Sequence, residues 1–196
     1  MRESKLERVT RETQINLSLN LDGKGRAEIK TGCGFFDHML TGFATHSRMD
    51  LALTCVGDLE VDAHHTVEDC GIALGSAIKE ALGEKRGICR FGESTLCMDD
   101  ALVMAVLDLS GRCGLYYEME LPVWKVGDFE VELAEEFFAA LCRSLGLNLH
   151  LRKLAGRNTH HLLEAVFKSF GRAMRQAVKI DPELADEIPS SKGMLE

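Results

Sequence analysis

Two short segments carry side chains able to do chemistry together. "VDAHHTVED" fills residues 61–69, and ninety-six residues after His64 the pattern returns in "GRNTHHLLE", residues 156–164. Each places Asp or Asn two residues before the first His and Glu three residues after the second. On a helix His64 and Glu68 are i,i+4 neighbours and His65 and Glu68 are i,i+3 neighbours. The adjacent rings of His64 and His65 diverge by about 100°, which is awkward for one ion but suits two. The same geometry holds for His160, His161 and Glu164. Imidazole nitrogen with carboxylate oxygen, and no thiolate, fits Mn2+, Fe2+, Zn2+ or Ni2+ rather than a soft-metal site. A lone histidine at a helix start commonly caps, hydrogen-bonds or packs in a core. A constellation repeated in order points past that to metal chemistry. His38 in "FFDHM" is a seventh donor, and its positional equivalent in the second half lies near Glu136, itself a competent oxygen ligand.

These residues need elements to hold them. "INLSLNL" (15–21) reads as a strand, "DGKG" (22–25) as a turn and "RAEIKT" (26–31) as the returning strand. A short helix is expected over 35–47 and a strand over 50–57. Asp62 is placed to cap a helix over 63–82 that Gly83 closes. Residues 87–98 are ambiguous but compatible with a strand. Strands follow at 101–110 and 114–121 around the Gly111-Arg112 turn, then a helix over 131–146 and a strand over 147–154. Asn158 caps a last helix over 159–178, and the polar tail from Pro182 reads as irregular. Set side by side, the halves repeat strand, strand, helix, strand, long helix, which predicts a tandem duplication of residues 1–98 and 99–196 packed as one unit. An α/β (α+β) fold follows, with amphipathic helices between two mainly antiparallel sheets. Asp69 either orients a ligand histidine or lies on solvated helix surface. His46 and His150 lack the pattern and read as structural.

The chain has 196 residues, 45% of them apolar, so it can bury a substantial core. Its net charge of −8 argues against a broad nucleic-acid footprint, while leaving room for a local phosphate pocket. There is no run of the length a membrane span needs, and "MRESKLERVTRETQ" lacks the apolar stretch of a signal peptide. A soluble, cytoplasmic protein is the expectation. The seven cysteines, scattered without a CxxC pair, read as reduced and mostly core-filling.

"FFDHML" (35–40), "VDAHHTVEDCGIALG" (61–75), "DLSGR" (108–112), "GRNTHHLLEAVFKSFGRAM" (156–174) and "PSSKG" (189–193) together resemble the imidazoleglycerol-phosphate dehydratase family over essentially the whole chain. The resemblance implies a manganese-dependent lyase of histidine biosynthesis that converts D-erythro-imidazole-glycerol phosphate to imidazole-acetol phosphate and water. It implies a duplicated α/β unit related to the second-domain fold of a small-subunit ribosomal protein. It also implies trimers that build a 24-mer, with sites at subunit contacts and two Mn2+ per active site. Carried over by position, the metal ligands are His38, His64, His65, Glu68, His160, His161 and Glu164. Many relatives have His where this chain has Glu136, and a carboxylate there is a normal ligand for Mn2+. Glu12 matches a family glutamate near the substrate and is expected to act as acid/base, with Glu164 combining metal ligation and proton transfer. Arg90, Arg112, Lys168, Ser190, Ser191 and Lys192 match substrate- and phosphate-binding positions, and His38 also falls among the substrate contacts.

Such a reaction must remove a weakly acidic carbon-bound hydrogen beside the imidazole ring, with no carbonyl to accept the electrons. A metal on a ring nitrogen turns the ring into the electron sink. Loss of the hydroxyl then leaves a diazafulvene-like species that collapses through an enol to the ketone. Arg112 could present a bidentate fork to phosphate. Lys168, four residues after Glu164, shares the site-facing side of its helix; as an alternative it is a solvated lysine. Two other classes compete. A metal-dependent hydrolase would use similar donors to activate water, but no "HExxH" is present, and a metal-storage or assembly protein would use the histidines only to join subunits.

Overall fold

The computed structural model describes residues 2–184 and 187–195. The first half contains β1 (Glu3–Val9), β2 (Thr13–Asn20), β3 (Ala27–Lys30), α1 (Gly34–Ser47), β4 (Asp50–Gly57) and α2 (His64–Leu82). The second contains β5 (Phe91–Met98), β6 (Ala101–Asp108), β7 (Gly114–Glu118), the two-residue strands β8 (Lys125–Val126) and β9 (Phe129–Glu130), α3 (Leu133–Leu145), β10 (Asn148–Ala155) and α4 (Thr159–Ala177). The main sheets have strand orders β1-β2-β4-β3 and β5-β6-β10-β7, the same topology twice. In each, one edge strand runs parallel to its neighbour and the other pairings are antiparallel. Helices pack on both sheets and on each other, so the four helices form the layer between them.

Alternation along the central strands builds this sandwich. Ile15, Leu17 and Leu19 of β2 face Cys55, Leu53 and Leu51 of β4 across the register, all on the buried side. Leu107 and Ala105 of β6 oppose Leu149 and Leu151 of β10 in the same way. Between the sheets Phe137, Phe138, Phe167 and Phe170 form a chain of ring contacts with centroids 5.0–5.4 Å apart. Each fully buried ring contributes roughly 1.5–3 kcal/mol relative to exposure.

Four expectations change. β3 is not the hairpin return of β2, because β4 lies between them and β3 pairs parallel to β4. The chain crosses through α1 instead, so the "DGKG" turn starts a crossover rather than a hairpin. β1, absent from the sequence reading, pairs along the whole of β2. Of its inward side chains only Leu6 is apolar; Ser4 Oγ donates to Glu80 at 2.6 Å and Arg8 donates to Asp69 at 2.8 Å. An edge strand seated mainly by polar contacts has too little hydrophobic alternation to read. Asp69, which also accepts from Thr13, is therefore neither solvated nor a histidine partner; it ties the β1–β2 hairpin to α2. By sheet pairing β5 belongs wholly to the second unit, so division by sheet falls between Leu82 and Phe91 rather than at residues 98/99.

The long helix of each half lies on the short helix of the other, α2 on α3 and α4 on α1. Glycines allow the approach. A methyl group at Gly75 would stand 2.7 Å from the Leu141 carbonyl oxygen, and one at Gly171 would stand 2.8 Å from that of Phe43. Both contacts are with backbone and cannot be relieved by a side-chain rotation. G75A and G171A are each expected to cost about 1–3 kcal/mol by overpacking. G34A, where the added carbon meets nothing within 4 Å, should stay within about 0.5 kcal/mol of the parent. Denaturant midpoints of the three variants check this.

Candidate active site

The two His-His pairs stand at the starts of α2 and α4 because local hydrogen bonds begin those helices there. Asn158 Oδ1 accepts from the His160 and His161 amides at 3.0 and 3.3 Å, the expected cap. Ala63 holds the cap position of α2, yet Asp62 Oδ1 still accepts from the His64 amide at 2.7 Å. The first ring of each pair then lies over its own helix's glutamate one turn on: His64 Nε2 is 4.0 Å from Glu68, and His160 Nε2 is 3.5 Å from Glu164.

Helix crossing adds His38. From α1 its Nε2 reaches 3.6 Å from Glu164 Oε1, its ring lies 5.8 Å from that of His160, and Phe35 meets the His160 ring edge-on at 5.2 Å. His38, His160 and Glu164 offer three donor atoms within 4.8 Å of one another, a spacing a divalent cation can bridge. Glu164 is buried beside Lys168, whose Nζ stands 2.7 Å from Oε1. Burial works to raise the Glu164 pKa, but the lysine hydrogen bond and charge, with His38 and His160, hold it below the usual glutamate value. Lys168 is thus a partly buried partner of Glu164 rather than a solvated helix lysine.

Among the described residues, His64 and Glu68 on α2 have no such third donor. The step along the chain from Phe43 to Leu141, which occupy matching places at the two helix crossings, equals that from His38 to Glu136. Glu136 is therefore the positional counterpart of His38. Its side chain makes no hydrogen bond or ion pair among the described residues, and Glu68 instead accepts from Arg143 at 2.9 Å.

The second ring of each pair turns elsewhere. His65 Nδ1 lies 2.9 Å from Asp58 Oδ2, and its Nε2 is 3.8 Å from Glu12 on the β1–β2 turn. His161 Nδ1 lies 2.7 Å from Asp100 Oδ1, and its Nε2 is 3.6 Å from Asp99 on the β5–β6 turn. The Asp58 hydrogen bond raises the His65 pKa. The Arg157 amide, the His161 ring and the Asn158 amide hold the Asp100 carboxyl well below the usual range. Asp58, Asp99 and Asp100 escaped the sequence reading, since none lies within the repeated motif. Their signal was weak: an acid just past a strand and a pair at a hairpin turn.

Apart from Lys168, which sits beside Glu164, the phosphate-binding candidates gather elsewhere. Arg90, just before β5, grips Asp108 with two hydrogen bonds of 2.7 and 3.1 Å and donates to the Pro189 carbonyl at 2.9 Å. Its fork is thus already occupied, and it anchors the tail that carries Ser190, Ser191 and Lys192. Arg112 is exposed on the turn after β6, whose last residue pairs with the first of β5. Asp99 and His161 lie at the opposite end of β5. Its eight residues put roughly 25 Å between the two groups. The tail is not wholly irregular: Pro182–Leu184 forms a 3-10 turn, and Ile180 bridges to Ile88.

The remaining expectations divide. His46 packs partly buried, with burial, Lys168 and Arg172 lowering its pKa, and His150 stacks on Tyr116 at 4.2 Å. All seven cysteines are free, but only Cys33, Cys55, Cys70 and Cys142 are buried; Cys97 and Cys113 are exposed. Among the described residues no helix is long and apolar enough to cross a membrane.

Fold and donor set define a class: a duplicated α/β protein whose helix starts present imidazole–carboxylate clusters. The sequence model described as Imidazoleglycerol-phosphate dehydratase matches residues 31–174. Imidazoleglycerol-phosphate dehydratases of Heliobacterium modesticaldum and Cereibacter sphaeroides are 54% and 53% identical over 195 residues, covering 100% of both chains in each comparison. The crystal structure of the Pyrococcus furiosus enzyme in complex with (S)-C348 aligns with a TM-score of 0.85 at 37% identity, covering 97% of this chain and 100% of that one. That of the Staphylococcus aureus enzyme aligns at 0.81 and 38%, covering 91% and 99%. The chain belongs to the imidazoleglycerol-phosphate dehydratase family, lyases of histidine biosynthesis.

The Glu164–Lys168 pair makes a prediction with a definite sign. A carboxylate held below its ordinary pKa contributes stability that is present above the unfolded value and lost as pH falls through the folded one. K168M should therefore lower stability near pH 7 by about 1–3 kcal/mol, the cost of losing a hydrogen bond to a charged group. The difference from the parent should shrink as pH falls below the ordinary glutamate range and through the lower folded value, where Glu164 becomes protonated in both proteins. Denaturant midpoints across that pH range read it directly.

Proposed function

We propose that the chain removes water from D-erythro-imidazole-glycerol phosphate to give imidazole-acetol phosphate, in the cytoplasm, using two divalent ions per active site, with Mn2+ the favoured metal. The single observation that carries the metal reading is the convergence of His38, His160 and Glu164 across the α1–α4 crossing. His64, Glu68 and Glu136 would form the counterpart set, and His65 and His161 would complete the two donor sets. When bound, the ions would polarise the substrate's imidazole ring so that it can accept the electron pair left behind when the carbon-bound proton departs.

The chain's own groups supply the rest. Glu12 is half-exposed beside His65 with no cationic partner among the described residues, an arrangement suited to carrying a proton to and from substrate carbon. Lys168 keeps Glu164 ionised, so that it can ligate or accept a proton. Arg112, Ser190, Ser191 and Lys192 form a cationic, hydroxyl-rich end suited to phosphate, and Arg90 holds that tail in place.

The roughly 25 Å between this end and the histidines exceeds what one phosphorylated imidazole can span. That separation supports sites completed between copies of the chain, as in an assembly of trimers building a 24-mer.

Metal-loaded protein should convert imidazole-glycerol phosphate to the ketone, followed spectrophotometrically; intact substrate would refute the assignment. H160A should lower kcat/KM by at least about 100-fold. Verified removal of metal should abolish turnover and reduce the particle to smaller units such as trimers. An unchanged mass would separate assembly from metal binding.

A further inference from the structure

The histidines divide into two kinds by what their rings touch. The first of each pair, His64 and His160, points Nε2 at the glutamate of its own helix. The second of each pair has its Nδ1 against an aspartate. Asp58 brackets the His65 nitrogen with both oxygens, at 2.9 and 3.2 Å. Asp100 meets the His161 nitrogen with Oδ1 at 2.7 Å, while its Oδ2 accepts from the Arg157 and Asn158 amides at 2.7 and 3.1 Å.

We infer that Asp58 and Asp100 are positioning residues that lock His65 and His161 in the tautomer whose Nε2 lone pair is free for a metal ion. A carboxylate can only accept, so each neutral ring must carry its hydrogen on Nδ1 and donate it there. That leaves Nε2 without a proton. The nearby carboxylates, Glu12 at 3.8 Å and Asp99 at 3.6 Å, have no proton to donate when ionised, so the lone pair stays open.

The two supports do not descend from one duplicated residue. Asp58 follows β4 on the way into α2, whereas Asp100 sits on the β5–β6 turn, the counterpart of the turn that carries Glu12. Unrelated loops thus arrive at the same contact on equivalent rings. A merely structural hydrogen bond needs no such coincidence, but fixing a ligand's orientation does.

The inference rests on the metal reading above, and one experiment separates the two. Full-length protein stripped of metal is titrated with Mn2+, and free ion is read by electron paramagnetic resonance. Parent protein that binds no Mn2+ would sink the metal reading itself. With parent binding established, D58N and D100N should each weaken affinity about 10–100-fold. D58E, which keeps an anionic acceptor, should recover most of the loss, and D22N, remote in its pair with Arg2, should change nothing. Activity of D58N should return at saturating Mn2+, which loss of a reacting group would not permit. Affinities of D58N and D100N within twofold of the parent would overturn the inference, as would a D58E no better than D58N. Should D100N fail to fold for want of its two amide contacts, D58N decides alone, because that carboxylate holds only the ring.

Discussion

The close contact between the long helix of one half and the short helix of the other governs this molecule. A duplicated unit could simply stack its two copies side by side. Here α2 and α4 cross α3 and α1 at backbone distance, permitted by Gly75 and Gly171 at matching positions. Each half thereby leaves its short helix to be covered by its counterpart, and the phenylalanine cluster fills the space between the crossings. The halves are mutually dependent because each lacks half of its own helical packing.

That crossing also makes the donor cluster. His38 belongs to the first half and His160 with Glu164 to the second, and only the α1–α4 contact brings them together. Burial by itself would draw the Glu164 carboxylate toward protonation. Lys168 one turn along counters this with a charge-assisted hydrogen bond, preserving an anionic donor in a sheltered place. The same crossing in the other half pairs Glu68 with Arg143, so two related clusters have different electrostatic balance.

The sheets impose a second constraint. Their strands hold imidazoles at one end and the arginine-anchored tail at the other, with the length of β5 between. The ladder fixes the two ends of β5 apart, and Arg90 holds the tail at one of them through the Pro189 carbonyl. In the proposed reading, a site using both draws on more than one copy of the chain.

By itself the sequence determined what is local or periodic. The doubled His-His-x-x-Glu pattern, the Asn158 cap and the 3.6-residue periodicity of the helices are short-range features, and each appears where expected. Counterpart positions such as His38 and Glu136 were also legible, because duplication preserves spacing. Tertiary structure decided what depends on crossing and pairing. β1 points Ser4 and Arg8 inward beside a single apolar Leu6, so its strand character comes from β2 and its seating from α2. β3 and β7 pair with strands distant in sequence, which turn chemistry could not reveal. Asp58 and Asp100 lie outside the repeated motif, and only the folded chain brings their carboxylates to ring nitrogens. The reason is one of range: hydrogen bonds within a turn are written in neighbouring residues, whereas contacts between layers are set by how whole elements pack.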